Sequence, residues 1–98
     1  MNEPEYQQSL KKKIKSLMPD AIVLKNDPNW LQGFPDLTIL RGSKWAVLEV
    51  KMNKDSKHQP NQDYYVGLAD EMEAAYSSFV YPENEKEVLD GLQRALEH

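Results

Sequence analysis

Residues 36–51 read DLTILRGSKWAVLEVK, two strand-like runs on either side of Gly42-Ser43. Asp36–Arg41 and Lys44–Lys51 carry the aliphatic, aromatic and β-branched residues that suit a pleated surface. A two-residue link that opens with glycine is the signature of a type II′ hairpin. With that turn, Arg41 pairs with Lys44 and the register is set along the whole ladder, which brings Asp36 opposite Glu49. Directly opposed side chains have Cβ atoms about 4.5–5.5 Å apart, and like charges there destabilise the pair unless something offsets them. A divalent cation would do so, and Mg²⁺ is usually held by one or two carboxylates while keeping several waters. The period of two puts Lys51 on the face of Glu49, while Ala46, Leu48 and Val50 point the other way, toward a helical layer with Leu37 and Ile39. Two carboxylates and an ammonium on one face suit phosphodiester hydrolysis: the metal polarises a phosphoryl oxygen and activates water, and the lysine orients the nucleophile or steadies developing charge. The plainer reading is a solvated face with a salt bridge. Against it stands the setting, because Glu49 lies between WAVL and Val50, in a strand suited to burial, where unpaired charge is costly.

Upstream of the hairpin, Tyr6, Leu10, Ile14, Leu17 and Met18 fall at helical spacing, and the pattern predicts a helix from Pro4 to Met18 with the proline at its first position. Pro19-Asp20 ends it, Ala21–Lys25 reads as a short strand, and a loop runs from Asn26 to Gly33, in which Trp30 and Leu31 are expected to pack down in part. Downstream, the polar stretch Met52 to Asn61 leads to a helix over Gln62–Ala75 and a strand over Ser77–Tyr81. A last helix starts near Asn84, where Asn84 and Glu87 have capping-box spacing, and buries Val88, Leu89, Leu92, Ala95 and Leu96. The order is αβββαβα, an α/β chain forming one domain over residues 1–98.

Composition narrows the chemistry. The chain has 98 residues, 40% of them hydrophobic and 29% charged, as in ordinary soluble domains. No apolar run approaches the roughly 20 residues needed to span a bilayer. The opening MNEPEYQQ has neither the basic start nor the apolar centre of a signal peptide, so a cytoplasmic protein without a membrane partner is expected. The absence of cysteine excludes disulfides, thiolate zinc and a cysteine nucleophile, and two histidines exclude a histidine-rich site. Metal chemistry must therefore rest on oxygen ligands. The net charge of -4 conceals an asymmetry: residues 1–60 hold ten Lys or Arg against seven Asp or Glu, and residues 61–98 hold two against nine. A basic first half is compatible with an anionic partner, although charge runs are more often solvated faces.

Gly33-Phe34-Pro35-Asp36-Leu37 followed by Leu48-Glu49-Val50-Lys51 resembles the G-x-P-D-L and E-V-K form of the PD-(D/E)XK nuclease signature, as in the VRR-NUC family and its small stand-alone phage-type members. The likeness extends to the element order, since that superfamily has a restriction-endonuclease-like αβββαβ core with a mixed central sheet flanked by helices, here with a C-terminal helix added. The resemblance implies metal-dependent cleavage of DNA inside a cell, such as a phage-infected host, with no organic cofactor. It makes Asp36, Glu49 and the Val50 backbone carbonyl ligands of one or two Mg²⁺ or Mn²⁺ ions and Lys51 the catalytic lysine. It also implies a homodimer acting on branched DNA, in the manner of a Holliday-junction resolvase. A nuclease without structure preference and a non-catalytic DNA-binding or partner-binding module are the alternatives.

The family's first helix supplies a further acid, and Glu3-Pro4-Glu5-Tyr6-Gln7 is similar to its E-x-x-x-Q start. Glu3 lies about 20° from the apolar stripe through Leu10 and Glu5 about 140° from it, so Glu3 is the better candidate, holding an ion indirectly. Otherwise Glu3 simply favours a helix N-terminus. The glutamine that family members carry after the E-V-K strand is matched by Gln62, with Gln59 as its rival; it would hydrogen-bond the lysine or a phosphate, or else be an ordinary first-turn polar residue. Lys11, Lys12, Lys13, Lys15 and Lys25 are basic but mostly solvated, whereas Lys44, Lys54, Lys57 and His58 are the candidate DNA contacts. Trp45, Tyr64 and Tyr65 read as packing residues rather than base-stacking platforms.

Overall fold

The computed structural model describes residues 1–97, so of the domain expected over residues 1–98 His98 lies outside the described residues. The first helix, α1, runs Glu3–Leu17, one residue earlier at each end than the spacing predicts. Its start is fixed by Asn2, whose Oδ1 accepts from Glu5 N at 2.9 Å. At its other end Lys15 Nζ donates to Pro19 O at 2.9 Å and Ala21 O at 2.5 Å, closing the turn into β1, Ile22–Lys25.

The decisive hairpin is β2, Leu37–Arg41, and β3, Lys44–Val50. Its ladder pairs Arg41 with Lys44 and Leu37 with Leu48, the register expected from a two-residue turn. Gly42 has φ 60°, and among the described non-glycine residues only Glu73 has positive φ; Ser43 is therefore not left-handed, and the turn is type II′ rather than I′. After β3 the chain crosses over through α2, Pro60–Glu71, to β4, Tyr76–Val80, which joins β3 in parallel. The four-stranded mixed sheet has the order β1-β2-β3-β4 and is flanked by helices, with α3, Glu85–Ala95, at the end of the chain.

Strand alternation divides β3 between two layers. Ala46, Leu48 and Val50 join Leu37 and Ile39 of β2 in a core with Tyr6, Leu10 and Ile14 of α1 and Val88, Leu89 and Leu92 of α3. Val47 faces the opposite layer, where it meets Ala69 and Ala74 with Phe34 and Trp45 packed alongside. Burying each of the large aliphatic side chains contributes roughly 1.5–3 kcal/mol, so a one-residue slip of β3 would forfeit both layers at once. Among the described residues no helix is long and apolar enough to cross a membrane.

Several local expectations are corrected. The α2 helix begins at Pro60 rather than Gln62 and stops at Glu71, short of Ala75. Its end is a Schellman motif: Glu73 N donates to Asp70 O, Ala74 N donates to Ala69 O, and Glu73 takes the left-handed φ of 64° usually given to glycine. The strand read as Ser77–Tyr81 lies one residue earlier. Asn84 is the N-cap residue of α3, as expected, but its side chain does not cap the helix: it accepts from Tyr81 N and donates to Phe79 O, tying the 3₁₀ turn Pro82–Asn84 to the end of β4. Trp30 does not pack down and is 90% exposed. Asp27 organises its own turn, with Oδ1 accepting from Asn29 N and its carbonyl from Trp30 N, and Phe34 takes the place against the sheet that Trp30 was expected to fill.

Candidate active site

The open end of the hairpin gathers the charged residues. The segment leading into it is narrow: Gly33 has φ 88°, and a Cβ there would lie 2.2 Å from the Asn61 Cβ, so only glycine lets this loop pass against the first turn of α2. Pro35 is fully buried, and Asp36 follows it just before β2 begins. The ladder proper ends at Leu37 and Leu48. Beyond it the Asp36 side chain takes over from its backbone, with Oδ2 accepting from Val50 N at 2.9 Å. Continued by two residues, the register sets Pro35 opposite Val50, and proline has no N–H to offer the Val50 carbonyl.

Glu49 is 2% exposed. Its carboxyl is pushed up to about 9, first by burial, then by its hydrogen bond with Asp36 and the Asp36 charge, with Glu3 adding to the rise and the Lys51 ammonium opposing it. Glu49 therefore holds its proton at neutral pH unless a cation comes to lie beside it.

Lys51 is buried and its ammonium is fixed at two points, donating to Gln62 Oε1 at 2.5 Å and to Lys57 O at 3.1 Å. Gln62 Oε1 also accepts from Gln59 N at 3.0 Å, so the start of α2 and the lysine are oriented by one amide oxygen. Of the two glutamines, Gln62 therefore meets Lys51 through its side chain, and Gln59 contributes its backbone N–H.

Glu3, half-buried at the first position of α1, is shifted upward by burial and by Asp36, with Lys51, a hydrogen bond from Gln7 and Lys25 pulling the other way. It therefore lies within electrostatic reach of the pair, whereas Glu5 is exposed. Gln7 is 7% exposed and its Oε1 has no hydrogen-bond partner. A buried acceptor left without a donor is costly.

These features fit a hard divalent cation. The donor set is all oxygen, with Asp36 and Glu49 as the anionic members and the Val50 carbonyl without a ladder donor. Among the described residues no three His, Cys, Asp or Glu side chains form a closed cage, so an ion here would rest on the carboxylate pair and complete its shell with carbonyl and water.

The other expected residues are dispersed. Lys54 and Lys57 are exposed in the loop after β3, next to the site, with the Lys54 N–H donating to Glu83 Oε2 at 3.3 Å. His58 is half-buried, stacked on Phe79 with ring centroids 4.0 Å apart and Nδ1 3.0 Å from Asp63 Oδ1. Lys44 lies at the far end of β3, where its Nζ donates to Glu97 O at 2.7 Å; it is not brought to the site. Lys13 pairs with Glu85 at 2.7 Å. Asn26, read from sequence only as a loop residue, bonds to both sides of Asp36, through Pro35 O and Thr38 Oγ1, each at 2.8 Å. A cleft of about 330 Å³, lined by Pro28, Gln32, Gly33, Gln59, Pro60 and Gln62 among others, opens beside the lysine's glutamine. Compared with family models, with curated proteins and with solved structures, the chain gives no match in any of the three.

Proposed function

We propose that the protein is a Mg²⁺- or Mn²⁺-dependent endodeoxyribonuclease with a restriction-endonuclease-like fold, related to the VRR-NUC family of PD-(D/E)XK nucleases and acting as a homodimer on branched DNA. The observation that carries the reading is the buried Glu49 carboxyl, pressed against Asp36 beside an ammonium held in place by Gln62. Such an arrangement is unfavourable for folding and is accounted for by an ion that the pair exists to hold.

Asp36 and Glu49 would hold the ion, with the Val50 carbonyl and, through water, Glu3 assisting. When bound, the cation supplies Lewis acidity toward a phosphoryl oxygen and lowers the pKa of water. Lys51 has three N–H donors, and Gln62 and Lys57 take two. The third is left for a phosphate oxygen or the attacking water, and it arrives already oriented, which is where fixed electrostatics gain most. Lys54 and Lys57, both exposed in the loop after β3, would neutralise phosphates of the DNA backbone near the site. The domain described leaves little room for a sequence-reading surface beside the site, so its recognition would rest on backbone and shape, and a second copy would present a second site to the other strand of a junction.

The test is cleavage of labelled four-way junction, flap and linear duplex with Mg²⁺ or Mn²⁺, alongside Glu49→Ala and Lys51→Ala. Paired incisions on the junction, lost in both variants, are expected. Equal cleavage of all three substrates would leave a nuclease without structure preference, and cleavage that survives Glu49→Ala would remove the assigned site.

A further inference from the structure

We infer that Asn26 is a positioning residue that holds the Asp36 carboxylate at the ion site, an inference that rests on Asp36 and Glu49 being the ion-holding pair. Asn26 is the first residue beyond β1. The register of β1 with β2, in which Lys25 pairs with Leu37, places it opposite Asp36, and Asn26 N donates to Asp36 O at 2.8 Å, extending the ladder by one rung. Its side chain then uses both amide hydrogens, donating from Nδ2 to Pro35 O at 2.8 Å and to Thr38 Oγ1 at 2.8 Å. Three bonds from one residue thus reach positions 35, 36 and 38. Because the Pro35 carbonyl can only accept, the orientation of the amide is determined.

Asp36 needs this support for reasons peculiar to its place. It precedes β2, it follows a proline that has no N–H for the ladder, and the loop before it is long. Its carboxylate is tied to the backbone of β3 through Val50 N, and its other contact is the Glu49 carboxyl, the group it must meet across the site. Without the Asn26 amide the Pro35 carbonyl loses its side-chain donor and the Pro35-Asp36 peptide is held less firmly, and a carboxylate displaced by about 1 Å loses much of its value as a ligand. Asparagine is suited to the task because one short side chain supplies two donors from one nitrogen. Aspartate would present an acceptor to the Pro35 carbonyl and add charge beside Asp36, and alanine would keep only the backbone bond to Asp36 O.

The test compares Asn26→Ala, Asn26→Ser, which keeps one donor, and Thr38→Val, which removes only the outer acceptor. Two measurements are made on the DNA-free protein: hydrogen exchange at the Val50 amide, whose acceptor is the Asp36 carboxylate, and Mn²⁺ affinity by calorimetry. Asn26→Ala is expected to speed exchange at Val50 by more than about tenfold, leaving Ala46 and Leu48 in the same strand unchanged, and to weaken Mn²⁺ binding by about ten- to a hundredfold. Asn26→Ser is expected to fall between Ala and wild type, and Thr38→Val to match wild type. Wild-type exchange at Val50 in folded Asn26→Ala would overturn the inference, as would a loss in Thr38→Val equal to that in Asn26→Ala. If Asn26→Ala does not fold, Asn26→Ser carries the same two measurements. Should wild-type protein bind no Mn²⁺, the nuclease reading fails, and the Val50 amide still decides whether Asn26 holds Asp36.

Discussion

The two ends of the β2–β3 hairpin solve the same electrostatic problem in opposite ways. At the turn, Arg41 and Lys44 are paired like charges, and each has its own acceptors. Arg41 reaches Asp20 Oδ1 at 3.0 Å and Leu96 O at 3.4 Å, and Lys44 reaches Glu97 O at 2.7 Å. Both thereby supply positive charge where the C-terminal carbonyls of α3 are electron-rich, in water that screens what is left. At the open end Asp36 and Glu49 would be like charges if both were ionised, but Glu49 is out of water, the nearest ammonium is already committed to Gln62 and Lys57, and Glu49 keeps its proton instead. One end relieves its repulsion with acceptors of the chain, and the other only by leaving an acid protonated. A buried acid held in its uncharged form beside a second carboxylate is the feature that the proposed ion site accounts for.

The contrast breaks most visibly on exchange of Glu49 for its neutral isostere. Under the proposed function, Glu49→Gln is expected to lower cleavage by at least about a thousandfold, while Lys44→Ala at the other end leaves it unchanged. In the absence of metal the same Glu49→Gln change is expected to raise the thermal midpoint, because it removes a buried acid that opposes folding once ionised. A variant that is inactive and less stable would mean that Glu49 is a structural residue.

The pH dependence of stability sharpens the same point. The folded chain keeps a proton on Glu49 up to about 9, whereas an unfolded glutamate releases it in the ordinary carboxylate range. Between those limits the native state binds more protons than the unfolded state, so this group's stabilising contribution is fully present below the unfolded pKa and is lost as pH rises through the folded one. Glu3 is shifted in the same direction. In chelator, the urea midpoint is expected to fall between about pH 5.5 and about pH 8.5. Glu49→Gln should flatten that slope, and saturating Mg²⁺ should reduce it by favouring the ionised pair. A slope unchanged in the variant would place the titrating group elsewhere.

How much of this was legible in the sequence depends on how locally each contact is specified. A two-residue turn fixes its register from within, so the approach of Asp36 to Glu49 and the division of β3 between two layers could be read directly. Helical phase likewise separated Glu3 from Glu5. Asn26 could not be found that way, because its pairing with Asp36 closes a loop too long to dictate a register, and an asparagine in such a loop carries no signal of its own. The end of α2 was hidden for a different reason: its left-handed position is filled by Glu73, where a glycine would have announced it. Lys44 shows the limit of counting charges, since a basic residue on β3 itself sits at the end of the strand away from Asp36 and Glu49.

The turn itself gives a smaller effect. Gly42 holds φ 60°, so Gly42→Ala is expected to cost about 1–2 kcal/mol in a urea titration. The cleavage rate of the folded fraction should be unchanged, because the ladder below the turn still sets the register. A loss of activity out of proportion to stability would show that the turn transmits strain to the open end.

The smallest effect belongs to Arg41. Its partner Asp20 is largely exposed, and such pairs contribute about 0.2–1 kcal/mol. Arg41→Ala is accordingly expected to lower stability by less than about 1 kcal/mol, and the loss should shrink in high salt because the pair is screened. The open end should respond to salt differently, since Glu49 and Asp36 repel in a buried setting that mobile ions screen poorly. If Arg41→Ala and Glu49→Gln gave stability changes with the same salt dependence, the two ends would be electrostatically equivalent, and the asymmetry that singles out the Asp36–Glu49 pair as the site would be lost.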